Sequence, residues 1–188
     1  MKKILVLAAL ASTFVASSAF AQGYIGFGLG SSQSRGGNST VGAVTVSGAE
    51  SSKGSAKIYG GFQFTPNWGL EAQYSDLGNR NYTINNAGVV TTGNARFSQY
   101  SLAGTGTLPL NPSFALIGKL GVSANRANFN GANNKTSLMA GVGVSYSITP
   151  RMAVRLEYED FGKFSDSNGQ GGGSVRATNT SLNLQYAF

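Results

Sequence analysis

Four ionisable side chains carry most of the chemistry this sequence can offer: Glu71, Lys119, Arg155 and Glu157, each set in a run where apolar residues alternate with small or polar ones. Histidine and cysteine are both absent, which removes the usual nucleophile–base pairs and most zinc or copper sites at once. Two carboxylates, an ammonium and a guanidinium on one polar face are instead the parts of a charge-assisted hydrogen-bond cluster. A lipid-modifying enzyme without His would need a Ser activated by Lys or by a carboxylate pair, and no such constellation recurs at the expected strand ends. The residues therefore predict an interior polar cluster, with no catalytic, cofactor-binding or metal site.

The elements that must position these four are strands. In the last nine residues Leu182, Leu184, Tyr186 and Phe188 fall on one face and Ser181, Asn183, Gln185 and Ala187 on the other, because successive strand side chains point oppositely. The same period runs through Tyr24–Gly30, where Ile25, Phe27 and Leu29 oppose glycines. It continues through Ala56–Thr65, Trp68–Ser75, Phe114–Ser123, Leu138–Ile148 and Met152–Glu159, and less regularly through Ala95–Leu108. Gly26-Phe27-Gly28 opens no helical period, so it is not a dinucleotide loop, and no nucleic-acid partner is expected. Eight strands result.

Their connections alternate. Pro66-Asn67, Pro109-Leu110-Asn111-Pro112 and Thr149-Pro150 are tight turns. The segments Ser31–Ser55, Asp76–Asn94, Asn125–Lys135 and Gly162–Ala177 read as long polar loops, rich in Gly, Ser and Asn. Long connections at one end and tight turns at the other describe an all-β, eight-stranded antiparallel up-and-down barrel, closed where the last strand meets the first. Strands of about ten residues match a membrane crossing. Alternation alone leaves two orientations open: a transmembrane barrel with its apolar face outward, or a soluble barrel with an apolar interior. Charges and glycines crowd the polar face, aromatics such as Trp68, Tyr74, Tyr158 and Phe188 end the apolar one, and no flanking helix is evident, which favours the transmembrane barrel.

Residues 1–21 stand apart. Lys2 and Lys3 precede an apolar run from Ile4 to Leu10, and Ala19-Phe20-Ala21 has the form of a secretory cleavage site, so 1–21 is predicted as a signal peptide and 22–188 as the barrel domain. Removing Lys2 and Lys3 leaves 12 basic residues against 7 acidic, a formal charge of +5 on 167 residues. A secreted chain without Cys must be held by burial and sheet closure.

Two hairpins resemble a known family. Tyr59-Gly60-Gly61-Phe62-Gln63, Pro66, Gly69-Leu70-Glu71, Tyr74 and Leu77-Gly78 form one stretch. Ala140-Gly141, Val144, Tyr146, Ile148-Thr149-Pro150 and Arg155-Leu156-Glu157-Tyr158 form the other. Together they are similar to the transmembrane barrel of the OmpA family, with a size closer to its barrel-only, opacity-type and OmpX-like relatives. The resemblance implies a Gram-negative outer membrane, long loops facing out and tight turns facing the periplasm. It also implies that Tyr186 and Phe188 form the signal read by the outer-membrane assembly machinery. Glu71 and Arg155 match the family's inward carboxylate–arginine pair. The family's alternative partner on the fourth strand aligns with Thr105, its inward lysine on the first with Gly28 and its carboxylate on the sixth with Ser145, so a partner-exchanging gate is not carried over.

The expected function is non-enzymatic: a bacterial outer membrane barrel that displays four surface loops and contributes to envelope integrity or adhesion. The alternative is a small, low-conductance porin with an interior ion-pair gate, for which Gly26, Gly28, Gly121, Gly141 and Gly143 would leave room for water. Basic residues of the loop side, Arg80, Arg96 and Arg126 among them, suit contact with lipopolysaccharide phosphates or anionic host surface molecules. Outer membrane lipids and the assembly machinery are the remaining expected partners.

Overall fold

The computed structural model describes residues 22–36, 39–41, 44–47, 51–86, 89–129, 131–164 and 175–188. Side chains are described for 22–33, 52–78, 97–126, 136–162 and 176–188. The predicted leader 1–21 lies outside the described residues.

Among the described residues, ten strands form one antiparallel sheet: β1 (Gln22–Gly36), β2 (Ser39–Val41), β3 (Val44–Ser47), β4 (Ser51–Gln63), β5 (Trp68–Asn86), β6 (Val89–Pro109), β7 (Phe114–Phe129), β8 (Gly131–Ser147), β9 (Met152–Phe164) and β10 (Val175–Ala187). Eight of them close a barrel in the order β1-β4-β5-β6-β7-β8-β9-β10, and β10 pairs back onto β1 from Tyr24↔Ala187 to Gly36↔Val175. A row of paired residues followed from Trp68 passes Gly106, Gly118, Val142, Tyr158, Thr180 and Ser31 to Gly54. Gly54 abuts Gly78, and 78 less 68 gives a stagger of ten residues around the barrel. That stagger tilts the strands, as closure of eight requires.

Orientation is settled by the side chains. Leu29, Ile58, Leu120, Leu138, Val142, Leu156 and Leu182 all point out of the barrel and are at least half exposed, while charges and amides fill the inside. The interior is polar and the exterior apolar, the reverse of a soluble protein and the pattern of a barrel solvated by hydrocarbon. Trp68, Phe114, Tyr146, Tyr186 and Phe188 ring the tight-turn end, and Tyr74, Tyr100 and Tyr158 stand toward the other. Two of these contacts are cross-strand ring pairs, Phe114 with Tyr146 and Tyr74 with Tyr100, each 4.8 Å between centroids.

The tight turns repeat one device. Thr65 Oγ1 accepts from the Trp68 amide at 2.9 Å, Thr149 Oγ1 from the Met152 amide at 2.9 Å, and Asn111 Oδ1 from the Phe114 amide at 2.8 Å. A short polar side chain that bonds two or three residues ahead closes the loop without a further strand residue.

The long polar segments are a correction to the sequence reading. Much of Asp76–Asn94 is strand, with β5 and β6 paired from Asn79↔Arg96 out to Asn86↔Val89. Likewise β7 and β8 pair to Phe129↔Gly131, and β1 and β4 reach Gly36 and Ser51. Past the apolar belt both faces of a strand meet water, so the alternation that marks a half-buried strand disappears while the backbone ladder continues. The hairpin β2–β3 joins the far end of β5 through Val44↔Asn86 to Ser47↔Thr83.

A second pattern emerges with the fold. Thr65-Pro66, Tyr74, Asp76-Leu77-Gly78 on one hairpin recur as Thr149-Pro150, Tyr158, Asp160-Phe161-Gly162 on another, at the same spacing of 84 that separates Glu71 from Arg155. The β4–β5 and β8–β9 hairpins are therefore built alike, half a barrel apart.

Candidate functional site: the charged lumen

The inward positions of β4, β5, β7 and β9 place Lys57, Glu71, Lys119, Arg155, Glu157 and Glu159 inside the barrel, each at most 5 % exposed. Glycines on neighbouring strands make the space. A Cβ on Gly26 would meet the Tyr59 ring at 2.1 Å, one on Gly28 the Asn183 amide at 1.8 Å, and one on Gly143 Glu157 Cγ at 2.9 Å. These glycines give their volume to the side chains they face.

The six groups form one connected network. Arg155 Nη1 donates to Glu71 Oε2 at 3.1 Å and to Gln185 Oε1 at 2.6 Å. Lys119 Nζ donates to Glu71 Oε1 at 2.6 Å, Glu157 Oε2 at 2.9 Å and Glu159 Oε1 at 3.2 Å. Lys57 Nζ donates to Glu159 Oε2 at 3.0 Å and also to Glu157 Oε2. Arg155 Nη2 lies against Glu157 Oε1 as an ion pair without hydrogen-bond alignment. Three cations face three carboxylates, so this network is neutral when all six are ionised. A buried charge is tolerated only when paired and hydrogen-bonded, and here every carboxylate touches at least two cations.

Two tyrosines complete the cluster. Tyr24 OH donates to Glu71 Oε2 at 3.0 Å. Tyr59 stands edge-on to Tyr24 with centroids 6.3 Å apart, and receives Lys57, Lys119 and Arg155 over its ring at 5.4, 5.5 and 5.0 Å. Cations over a desolvated ring face are attracted by its quadrupole.

All four sequence-identified residues, Glu71, Lys119, Arg155 and Glu157, thus meet in one place. Lys57 and Glu159 complete it and were not singled out. Their signal was available: both stand at the inward parity of their strands, Lys57 two before Tyr59 and Glu159 two after Glu157. Thr105, Gly28 and Ser145, where the family has its alternative partner, an inward lysine and a carboxylate, add no charge. Among the described residues, no group of three or more His, Cys, Asp or Glu side chains is arranged to hold a metal ion.

The other candidates lie elsewhere. Phe188 is exposed at the tight-turn end, its amide donating to Gly23 O at 3.0 Å and its ring lying over Gly23, while Tyr186 pairs with Ile25 and Met152. Arg126 is exposed near the opposite end, 5.2 Å over the Tyr100 ring. Arg80 and Arg96 sit on β5 and β6 one register step apart, Arg80 opposite Ala95 and Arg96 opposite Asn79; their side chains lie outside the described ones.

Comparison with known proteins agrees with this architecture. No curated protein matches the sequence. Among solved structures, outer membrane protein OprG from Pseudomonas aeruginosa superposes with a TM-score of 0.66 at 12% identity, covering 90% of this chain and 96% of its own. AlkL, an outer membrane protein determined in lipid bilayers, gives 0.60 at 13%, covering 93% and 94%. Neisserial surface protein A gives 0.56 at 18%, covering 90% and 100%. At such identities the likeness is one of fold. The family model described as outer membrane protein beta-barrel domain matches residues 4–188. With its apolar exterior, closed eight-stranded barrel and charged lumen, the chain belongs to this family of OmpA-like barrels and is a protein of the bacterial outer membrane.

Proposed function

We propose that this protein is a non-enzymatic membrane anchor whose barrel carries four outer connections and through them contributes to envelope integrity or adhesion. The observation that carries the reading is the ion network in the lumen: three cations and three carboxylates pair with one another across the barrel, which suits a structural plug better than a pore. The outer ends of β5–β6 and β7–β8 then serve as arms for surface contact, since binding residues gather on segments held by a rigid scaffold. Trimming these arms to tight turns should preserve membrane insertion and abolish the contribution to detergent resistance or attachment of the cell. Full function in the trimmed barrel would rule the display role out.

Lipopolysaccharide is the partner whose chemistry fits the outer rim. Arg126 stacked on Tyr100 combines an interfacial aromatic with a cation at headgroup level, and Arg80 and Arg96 lie on the neighbouring outer parts of β5 and β6. Replacing Arg80, Arg96 and Arg126 with Gln should release co-purifying lipopolysaccharide, and unchanged retention would remove this partner. Tyr186 and Phe188 are proposed as the recognition signal for the assembly machinery, and residues 1–21 as the leader that brings the chain to it.

A further inference from the structure

On three strands a polar inward series, followed from the tight-turn end, stops at an apolar residue toward the outer end. On β9 Arg155, Glu157 and Glu159 are followed by Phe161. On β5 Glu71, Gln73 and Ser75 are followed by Leu77, and on β10 Asn183, Ser181 and Asn179 by Ala177. Charged residues on β9, a charge followed by an amide and a hydroxyl on β5, and amides with a hydroxyl on β10 all give way to an apolar group. Leu77, Phe161, Met139 and Ala177 are at most 4 % exposed and pack as one cluster with Ala103, against which Phe97 also lies. This apolar cluster stands apart from neighbouring Ser32, Ser75, Gln99, Ser123 and Asn125, which enter the lumen as polar groups.

Its two largest members are set by the same construction. Leu77 precedes Gly78 at φ 81°, and Phe161 precedes Gly162 at φ 75°. The Gly78 amide donates to Asp76 Oδ1 at 3.1 Å and the Gly162 amide to Asp160 Oδ1 at 3.0 Å. Register shifts follow, between Asp76 and Asn79 on β5 and between Arg176 and Thr178 on the partner of β9. Each is a bulge with glycine in the left-handed region, a feature that re-aims a side chain at the rim of a barrel. The sequence Asp-Leu-Gly or Asp-Phe-Gly thus turns one bulky apolar side chain into the lumen from each of two strands on opposite halves of the barrel.

We propose that Leu77, Phe161, Met139, Ala177 and Phe97 form an apolar collar that seals the outer mouth of the lumen against water and ions, separately from the ion network beneath it. Apolar side chains in a constriction disfavour water because they do not replace the hydrogen bonds that water gives up. Beneath the collar, Gln99 Oε1, Asn179 Nδ2, Ser181 Oγ and Asn183 Oδ1 are buried without a protein partner, which makes this part of the lumen receptive to water once the collar is open. The ion network holds the barrel together electrostatically, and the collar keeps the outer medium away from it.

The absence of cysteine allows a direct test. Ser181 is 2 % exposed, two inward positions below Ala177, and its hydroxyl has no protein partner, so Ser181→Cys introduces a single lumen thiol at little structural cost. The refolded barrel in lipid vesicles is treated with a charged, membrane-impermeant thiol reagent from the outer side. With the collar intact, labelling should be slow. Leu77→Ala with Phe161→Ala should accelerate it at least roughly tenfold, whereas Glu71→Gln with an intact collar should leave the outer-side rate unchanged. Rapid labelling behind the intact collar would overturn the proposal without any need for the truncated variant. Unchanged labelling in a truncated barrel of normal strand content, or acceleration by Glu71→Gln alone, would overturn it too.

Discussion

Arg155 is the residue on which the lumen turns. It reaches Glu71 and Glu157 with its two terminal nitrogens, bonds Gln185, and lies over the rings of Tyr59 and Tyr24. Breaking a buried ion pair from one side leaves the other charge without compensation, and that costs more than the pair contributes. Arg155→Ala should accordingly destabilise the barrel by about 3 to 5 kcal/mol, seen as a lower denaturant midpoint in detergent or vesicles; an unmoved midpoint would show that water, not Arg155, satisfies Glu71 and Glu157. Four of the six charges could be picked out from sequence because each interrupts a run of alternating residues. Lys57 and Glu159 lie on the same parity but in company that hid them. Lys57 follows a serine- and glycine-rich stretch, and Glu159 is next to Asp160, which faces outward and pairs with Arg176.

The element that explains most is the hairpin with a tight inner turn and a long outer arm. Its lower part is defined by alternation: Leu156 points to hydrocarbon between the lumen residues Arg155 and Glu157. Leu156→Arg should cost about 2 to 4 kcal/mol near mid-bilayer, read as reduced folding yield in vesicles, while an equal yield would mean that this face does not meet acyl chains. The strands and inner turns were legible because a half-buried strand writes its period into the sequence. The outer arms were not, since Asn79–Asn86 and Val89–Arg96 pair as strands with no one-sided apolar face to announce them. Equally hidden were the bulges at Asp76-Leu77-Gly78 and Asp160-Phe161-Gly162. Leu77 and Phe161 break the apolar-out rule, and only the recurrence of the motif at a fixed spacing marks them as placed deliberately by the fold.

At the scale of the whole molecule, eight strands with a stagger of ten enclose a lumen just wide enough for side chains to fill. Glycine on one strand faces tyrosine, asparagine or glutamate on the next, so volume is exchanged between neighbouring strands. The account of this protein as a closed anchor rests on that filling. Ion current through the refolded barrel in a planar lipid bilayer tests it most directly. The wild-type protein should be electrically silent at moderate voltage and stay silent across salt concentrations; a steady current that changes when Glu71 is neutralised would contradict the closed lumen and establish a gated pore in its place.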